Sequence, residues 1–329
     1  MELWASGFNA WGQLDFEQLP ETEHRDLKEF KCILKDERIE LVRTTLSATL
    51  VKLSTGLHTA GCSDALIEHC ISKQDSLPNL AVAGNDKVVS QYYFTYDTPD
   101  SVTEKPKSNH IESIDVHPTE AKSSVLKQYN SFKSFLKNDG EKLRNYIYGG
   151  TTQIVANQCT FTAFTSGGEV WTWGDGRYEA CLGREVSDAS PATIPCVVED
   201  LLDLPTGSIR KISSGGYVTA ALTEGNDLYV WGGRPGLTKL LEDLTGAPMP
   251  VDFDGQDVLD VAVSMNHMIA LTTGGKLFVV GDGSNGQLGL DIKELATWKE
   301  VTLPLKDNRR IAGVYTGYKN SLVVVEGIT

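Results

Sequence analysis

Residues 154–174 read IVANQCTFTAFTSGGEVWTWG, and the chain repeats this pattern twice, as ISSGGYVTAALTEGNDLYVWG at 212–232 and VAVSMNHMIALTTGGKLFVVG at 261–281. Each copy has an aliphatic residue (Ile154, Ile212, Val261), then Phe164, Leu222 or Leu271 ten positions on. A glycine (Gly174, Gly232, Gly281) follows ten positions later. Thr165, Thr223 and Thr272 each follow the second anchor and begin a Thr-x-Gly step. Self-similarity of this length marks an array of one supersecondary unit.

Each copy is rich in β-branched and aromatic residues and broken only by glycine turns, so it reads as three short strands. Gly167-Gly168, Gly225-Asn226 and Gly274-Gly275 are two-residue loops of the kind that supplies positive φ to a primed hairpin turn. The copies recur at 58 and 49 residues, room for a four-stranded propeller blade once an outer strand is added. The spacing reappears from Val314 to Val324, and the chain stops where the next strand is due; Leu3-Trp4-Ala5-Ser6-Gly7 supplies that strand from the other end. The expectation is an all-β fold, a β-propeller of four-stranded blades whose last blade is shared by N- and C-terminal strands. Weaker copies at 43–53, with Gly56, and at 71–81, with Gly84-Asn85-Asp86, bring the count to six blades. A polar segment at about 96–145 is the insertion in an otherwise single domain spanning 1–329, and its second half has room for a short helix or a seventh blade. Residues 15–40 supply an outer strand and a surface loop.

Two glycine-rich stretches sharpen this. GDGSNGQLG at 281–289 and GFNAWGQL at 7–14 share the spacing Gly-x-x-x-x-Gly-Gln-Leu. Together with the Thr-x-Gly and Trp-Gly elements they resemble the repeat signature of the regulator of chromosome condensation family, strongly from residue 146 onward and at the N-terminus. The resemblance implies a propeller closed by both chain ends. It also implies a protein that works by binding proteins, as an accessory subunit or as an exchange factor for a Ran-like GTPase. The pattern is broken at 174–183, where Cys181 and an extra residue stand, and at Gly232-Gly233-Arg234-Pro235, where it is lost; the family's histidine survives as His267. No basic stretch precedes Leu3, so the DNA-binding arm of the chromatin-bound member is not expected. The chain more closely resembles the small propeller-only members, which include the alpha-tubulin suppressor type, than the chromatin-bound one.

Charge narrows the partners. Residues 146–329 carry 22 acids against 13 bases, within a net charge of −14. A surface this acidic does not neutralise phosphates, so neither nucleic acid nor an anionic membrane is an expected partner, while a basic-surfaced protein is. The N-terminus lacks a signal-peptide pattern and no apolar run is long enough to span a bilayer. The expectation is a cytoplasmic or nuclear chain, monomeric by itself, with its six cysteines as thiols.

No catalytic, cofactor or metal site is expected. Gly281-x-Gly283-x-x-Gly286 mimics a dinucleotide fingerprint but opens no helix to hold a pyrophosphate. Cys62, His69 and Cys70 are one ligand short of a structural zinc site. Glu199-Asp200 and the pair Asp252 and Asp254 read as solvated turns. A binding face can be named instead, because in an antiparallel blade the loops after the first and third strands emerge on one side. The first set carries Asn157, Tyr217, Met265, Asn266 and Tyr318; the second carries Phe8, Trp11, Arg177, Tyr178, Arg234 and Asn285. Tyrosine, tryptophan and arginine are the residues of interaction hot spots. Packing of the repeat turns is the other role open to each of the eleven.

Overall fold

Six small antiparallel sheets follow one another around a ring, in a computed structural model that describes residues 1–17, 24–94, 123–143, 147, 150–237 and 239–328, apart from 74–79. The fourth blade is Thr151–Ala156, Thr160–Thr165, Val170–Gly174 and Cys196–Val197. The fifth is Ile209–Gly215, Val218–Thr223, Leu228–Gly232 and Met249–Val251, and the sixth is Val258–Val263, His267–Thr272, Leu277–Asp282 and Glu294–Val301. Each runs from an inner to an outer strand in chain order. The first blade closes the ring as expected: Arg309–Thr316 and Asn320–Gly327 supply its inner strands, Glu2–Gly7 and Leu27–Lys35 its outer ones, and Leu3 pairs with Val324.

The second strands are buried along their whole length in the fourth, fifth and sixth blades. That explains why the repeat is most apolar there, since both faces of the sheet pack against neighbouring blades. Apolar clusters accordingly lie between blades rather than inside them: Val230 and Val261 share one, Ile269 and Val323 another, Leu3 and Val51 a third. Inner strands of five blades carry a register shift beside the first anchor, as between Ile209 and Lys211 or Val258 and Asp260. A bulge adds twist where strands crowd toward the axis.

Three sequence expectations change. The hairpins between second and third strands are three-residue turns, not two-residue primed ones. Gly168 N donates to Thr165 O at 2.9 Å, Thr165 N to Glu169 O at 3.0 Å, and only Gly168, Asn226 and Gly275 have positive φ. One left-handed residue after a tight turn is enough to restore register. The second blade has three strands among the described residues, Ile39–Thr44, Ala48–Leu53 and Gly56–Gly61. Beyond them stands the helix Ala65–Lys73, capped by Asp64 Oδ1, whose Leu66 packs on both the second and the third blade.

In the third blade the expected register is off by one strand. Ile71 lies in that helix; Leu80–Val82 is the inner strand, and Gly84-Asn85-Asp86 turns into the second strand, Val88–Phe94. Ser123–Tyr129 and Glu141–Leu143 are its third and outer strands, with a short helix, Phe132–Leu136, between them. The seventh blade is thus replaced by the missing half of the third. The first half of the 96–145 segment lies outside the described residues.

Candidate functional site

The closing glycines build the face. Gly174, Gly232 and Gly281 have φ of +156°, +133° and +109°, and a Cβ on them would meet the carbonyl oxygens of Cys159, Tyr217 and Asn266 at 2.5, 2.1 and 2.4 Å. The residue after each glycine donates its N–H to that same carbonyl: Asp175 to Cys159, Gly233 to Tyr217, Asp282 to Asn266, and in the first blade Phe8 to Lys319. Only a residue without Cβ allows this approach. The third-to-fourth-strand loop is thereby tied to the first-to-second-strand turn on one side of the ring, as the strand-direction argument requires.

At the centre of that side, residues 44–46, 82–84, 156–158, 214–216, 263–265 and 316–318 surround a cavity of about 280 Å³. All six blades contribute the same turn, so this is the mouth of the axial channel. Hydrogen bonds run from turn to turn around it. Gly84 N donates to Asn157 O, Gln158 N to Gly216 O, Thr44 Oγ1 to Thr316 O, and Ser264 Oγ reaches Gly317 O and Tyr318 O at 2.7 and 2.8 Å. Gln158 Nε2 lies 2.8 Å from Met265 Sδ.

The Gly-Gln-Leu motif proves to be a staple between blades. Gln13 is fully buried; its Oε1 accepts from Trp11 N, while its Nε2 donates to Phe8 O at 3.0 Å and to Leu46 O of the second blade at 3.3 Å. Gln287 Oε1 accepts from Asn285 N in the same manner, its buried Nε2 has no partner among the described residues, and the contact with the first blade is made by its backbone, Gln287 O accepting from Ser321 Oγ at 2.7 Å. In the fourth blade Cys181 takes this place, with its Sγ donating to Tyr217 O and Gly233 O of the fifth blade at 3.4 and 3.5 Å. Cys181 O accepts from Trp231 Nε1, as Gln287 O does from Ser6 Oγ at the equivalent position. The apparent dinucleotide fingerprint is one instance of this loop. His267 is buried at the same junction, Nε2 2.9 Å from Ser321 Oγ, and burial pushes its pKa down to about 3.

The eleven candidate side chains divide by environment. Asn157 Oδ1 accepts from the N–H groups of Cys159 and Thr160, Asn266 Nδ2 donates to Asp282, and Asn285 Nδ2 donates to Asp26 Oδ2 at 2.8 Å; these serve the turns. Met265 packs at the channel mouth and Phe8 is half-buried. Trp11 and Tyr318 project, 48% and 37% exposed. The remaining four form one strip across the fourth and fifth blades. The Tyr178 and Tyr217 rings lie 5.4 Å apart, the Arg177 guanidinium 5.8 Å from the Tyr178 ring, and the Arg234 guanidinium 5.2 Å from the Tyr217 ring, with Arg234 Nη1 donating to Tyr217 Oη at 3.1 Å. Asp175 orients Arg177 through a 2.6 Å contact, and this guanidinium holds the half-buried carboxyl below its usual range.

Sequence reasoning missed Leu46, 45% exposed at the mouth, and Leu237, 53% exposed beside Arg234. Both are lone apolar residues in turns, without a pattern to find them by. His69 of the metal trio packs edge-on against Phe135 at 5.4 Å, and Cys70 is buried in the second-blade cluster. No helix among the described residues is long and apolar enough to cross a membrane.

Comparison with known proteins fits this geometry. Two segments, 167–222 and 258–287, match models of the regulator of chromosome condensation (RCC1) repeat. Over 182 residues, 53% of this chain and 40% of the relative, the sequence is 30% identical to the mitochondrial RCC1 domain-containing protein RUG3 of Arabidopsis thaliana. It is 34% identical to the regulator of chromosome condensation of Drosophila melanogaster over 38% of this chain and 22% of that one. The matched part thus spans less than half of either relative. Among solved structures, Prp20p of Saccharomyces cerevisiae, whose binding properties to Gsp1p and histones are described, superposes with a TM-score of 0.66 at 15% identity, over all of this chain and 92% of that one. Human WBSCR16 superposes with 0.61 at 14%, over 99% and 100%. The ring and its repeats are those of an RCC1-like propeller, with two segments matching the RCC1 repeat and a fold shared with Prp20p and WBSCR16.

Proposed function

We propose that the chain is a non-enzymatic interaction scaffold or accessory subunit that docks a protein partner on the loop face, the role that its resemblance to the small propeller-only members implies. The observation that carries this is the strip Arg177, Tyr178, Tyr217 and Arg234. These are two aromatic rings and two guanidinium groups gathered on the surface where the repeat abandons its stapling motif. Aromatic rings flanked by guanidinium groups give much contact area for little lost side-chain freedom, the composition of binding hot spots. Trp11 and Tyr318 extend the surface around the channel mouth. Cytoplasmic or nuclear residence accompanies this role.

Affinity purification from native cells tests it. The chain with Arg177→Ala, Tyr178→Ala and Arg234→Ala together should lose the partner at least tenfold against wild type. Glu224→Ala with Thr273→Ala, on the opposite hairpins, should retain it. Undiminished recovery by the triple variant removes the strip from the interface.

Guanine nucleotide exchange on a Ran-like small GTPase is the second reading, supported by the likeness to the fly regulator of chromosome condensation and by the Gsp1p binding described for Prp20p. Release of labelled GDP at substoichiometric propeller decides between them, because a scaffold leaves the rate unchanged. Association with basic histone surfaces is a third reading, supported by the acidic repeat body and by the histone binding described for Prp20p.

A further inference from the structure

On the rim of the ring, a cavity of about 400 Å³ opens between the outer strands of the fifth and sixth blades. Its apolar wall is aromatic: Phe253 touches Phe278 and Trp298, with ring centroids 5.1 and 5.0 Å apart. Its other side is acidic. Glu242, Asp243, Asp252 and Asp254 all line it and are all exposed, no lysine or arginine lines it, and none of the four carboxylates is in an ion pair among the described residues. Glu242 N donates to Ala296 O at 3.1 Å, so the two blades are tied across the cavity and its walls are preformed.

An aromatic floor beneath unpaired carboxylates matches one kind of side chain, an apolar stem ending in a cation. We infer that this rim pocket binds a lysine or arginine side chain presented by an extended basic peptide, with the methylenes over Phe253 and Phe278 and the cation against the Trp298 face and the four carboxylates. The cation gains both from the ring quadrupole and from the uncompensated negative charge. The sequence assigned Asp252 and Asp254 to solvated turns; the fold sets them on the lip of an aromatic cavity. The site is independent of the strip on the loop face and stands or falls without it.

Fluorescence anisotropy with a labelled nonapeptide, Gly-Arg-Gly-Lys-Gly-Arg-Gly-Lys-Gly, tests the inference against a counterpart carrying citrulline and norleucine. Glu242→Gln, Asp243→Asn, Asp252→Asn and Asp254→Asn together remove the charge while keeping shape, and the amide oxygen brought in by Asp252→Asn still accepts from Gly255 N, as Asp252 Oδ1 does. This variant should weaken binding of the cationic peptide at least tenfold, and the citrulline peptide should not bind wild type. A control with Glu185→Gln, Asp188→Asn, Glu199→Gln and Asp200→Asn, equal in charge but on the fourth blade, should change affinity less than twofold. Trp298→Leu, with its fold verified by thermal melting, should weaken binding at least threefold at high as well as low salt. Equal weakening by both quadruple variants would mean general attraction to an acidic protein and overturn the site, as would undiminished binding by the pocket variant or no binding by wild type.

Discussion

The loops after the third strands of the sixth and fourth blades leave the same closing glycine and arrive at the same Leu-Gly, yet they use the residues between differently. In the sixth blade Asn285 and Gln287 turn inward and hold the loop to itself and to the first blade. In the fourth, one extra residue lets Gly176–Leu182 coil into two 3-10 turns broken at Tyr178, whose φ of −125° and ψ of 54° are not helical. Cys181 makes the inward contact, and Arg177 and Tyr178 are released to the surface. A repeat that keeps its motif uses its polar side chains to close the ring, and one that loses it has them free for a partner. The candidate surface is therefore where the repeat fails, at a junction still closed by a weaker contact.

What both loops share can be broken most severely. Gly232 and Gly233 have nearly equal φ, +133° and +128°, but a Cβ on Gly232 would sit 2.1 Å from Tyr217 O, whereas one on Gly233 meets nothing within 4 Å. Gly233→Ala therefore costs only the strain of its backbone conformation, about 1 kcal/mol, while Gly232→Ala also forces the loop off the turn, roughly 3 kcal/mol or more. Urea unfolding of the two variants measures the difference. Equal losses would show that backbone conformation, not close approach, is why each unit ends in glycine.

The sixth-blade junction carries a pH dependence that the fourth lacks, because Thr160 stands where His267 does. His267 is held neutral by burial, with a pKa of about 3 against 6.5 in the unfolded chain. The unfolded state thus binds the proton first. The stability it contributes is complete above pH 6.5 and falls as pH drops from there toward 3, by about 1.4 kcal/mol per unit. Between about pH 7.5 and about pH 5 wild type should lose about 2 kcal/mol more than His267→Asn. Parallel losses in the two proteins would mean that the histidine is not shut off from water.

These contrasts also mark what the sequence could show. Ring closure was legible because Leu3 to Gly7 and Leu228 to Gly232 obey the same steric rule, and that rule lies in residue identity. The third blade was not: its inner strand is only three residues, Leu80–Val82, and its second and third strands are separated by a stretch several times longer than the other hairpins, so the ten-residue spacing is absent. The helix Ala65–Lys73 was hidden for another reason. It packs one side on two blades and so lacks the strong periodicity of a helix set on a broad core. On the face, residue type found Arg177, Tyr178, Tyr217 and Arg234 but could not tell them from Asn157, Asn266 and Asn285, because capping of a turn depends on where a side chain points. The glutamines of the Gly-Gln-Leu motif, of which Gln13 ties its loop to the second blade and Gln287 holds its own loop, entered the sequence argument only as part of a resemblance.

The smallest effects test whether the fourth-blade junction is the weaker one. Gln13 makes three hydrogen bonds, all to backbone groups, from a fully buried position, so Gln13→Ala should cost roughly 2–3 kcal/mol. Cys181 replaces them with two long thiol contacts, and Cys181→Ala should cost about 1 kcal/mol. Arg177→Ala removes a surface guanidinium whose side chain is 80% exposed and should leave stability unchanged while still reducing partner recovery. Thermal melts of the three variants order them. If Cys181→Ala proves as damaging as Gln13→Ala, the fourth-blade junction is not the looser one, and the release of Arg177 and Tyr178 must be explained by the inserted residue alone.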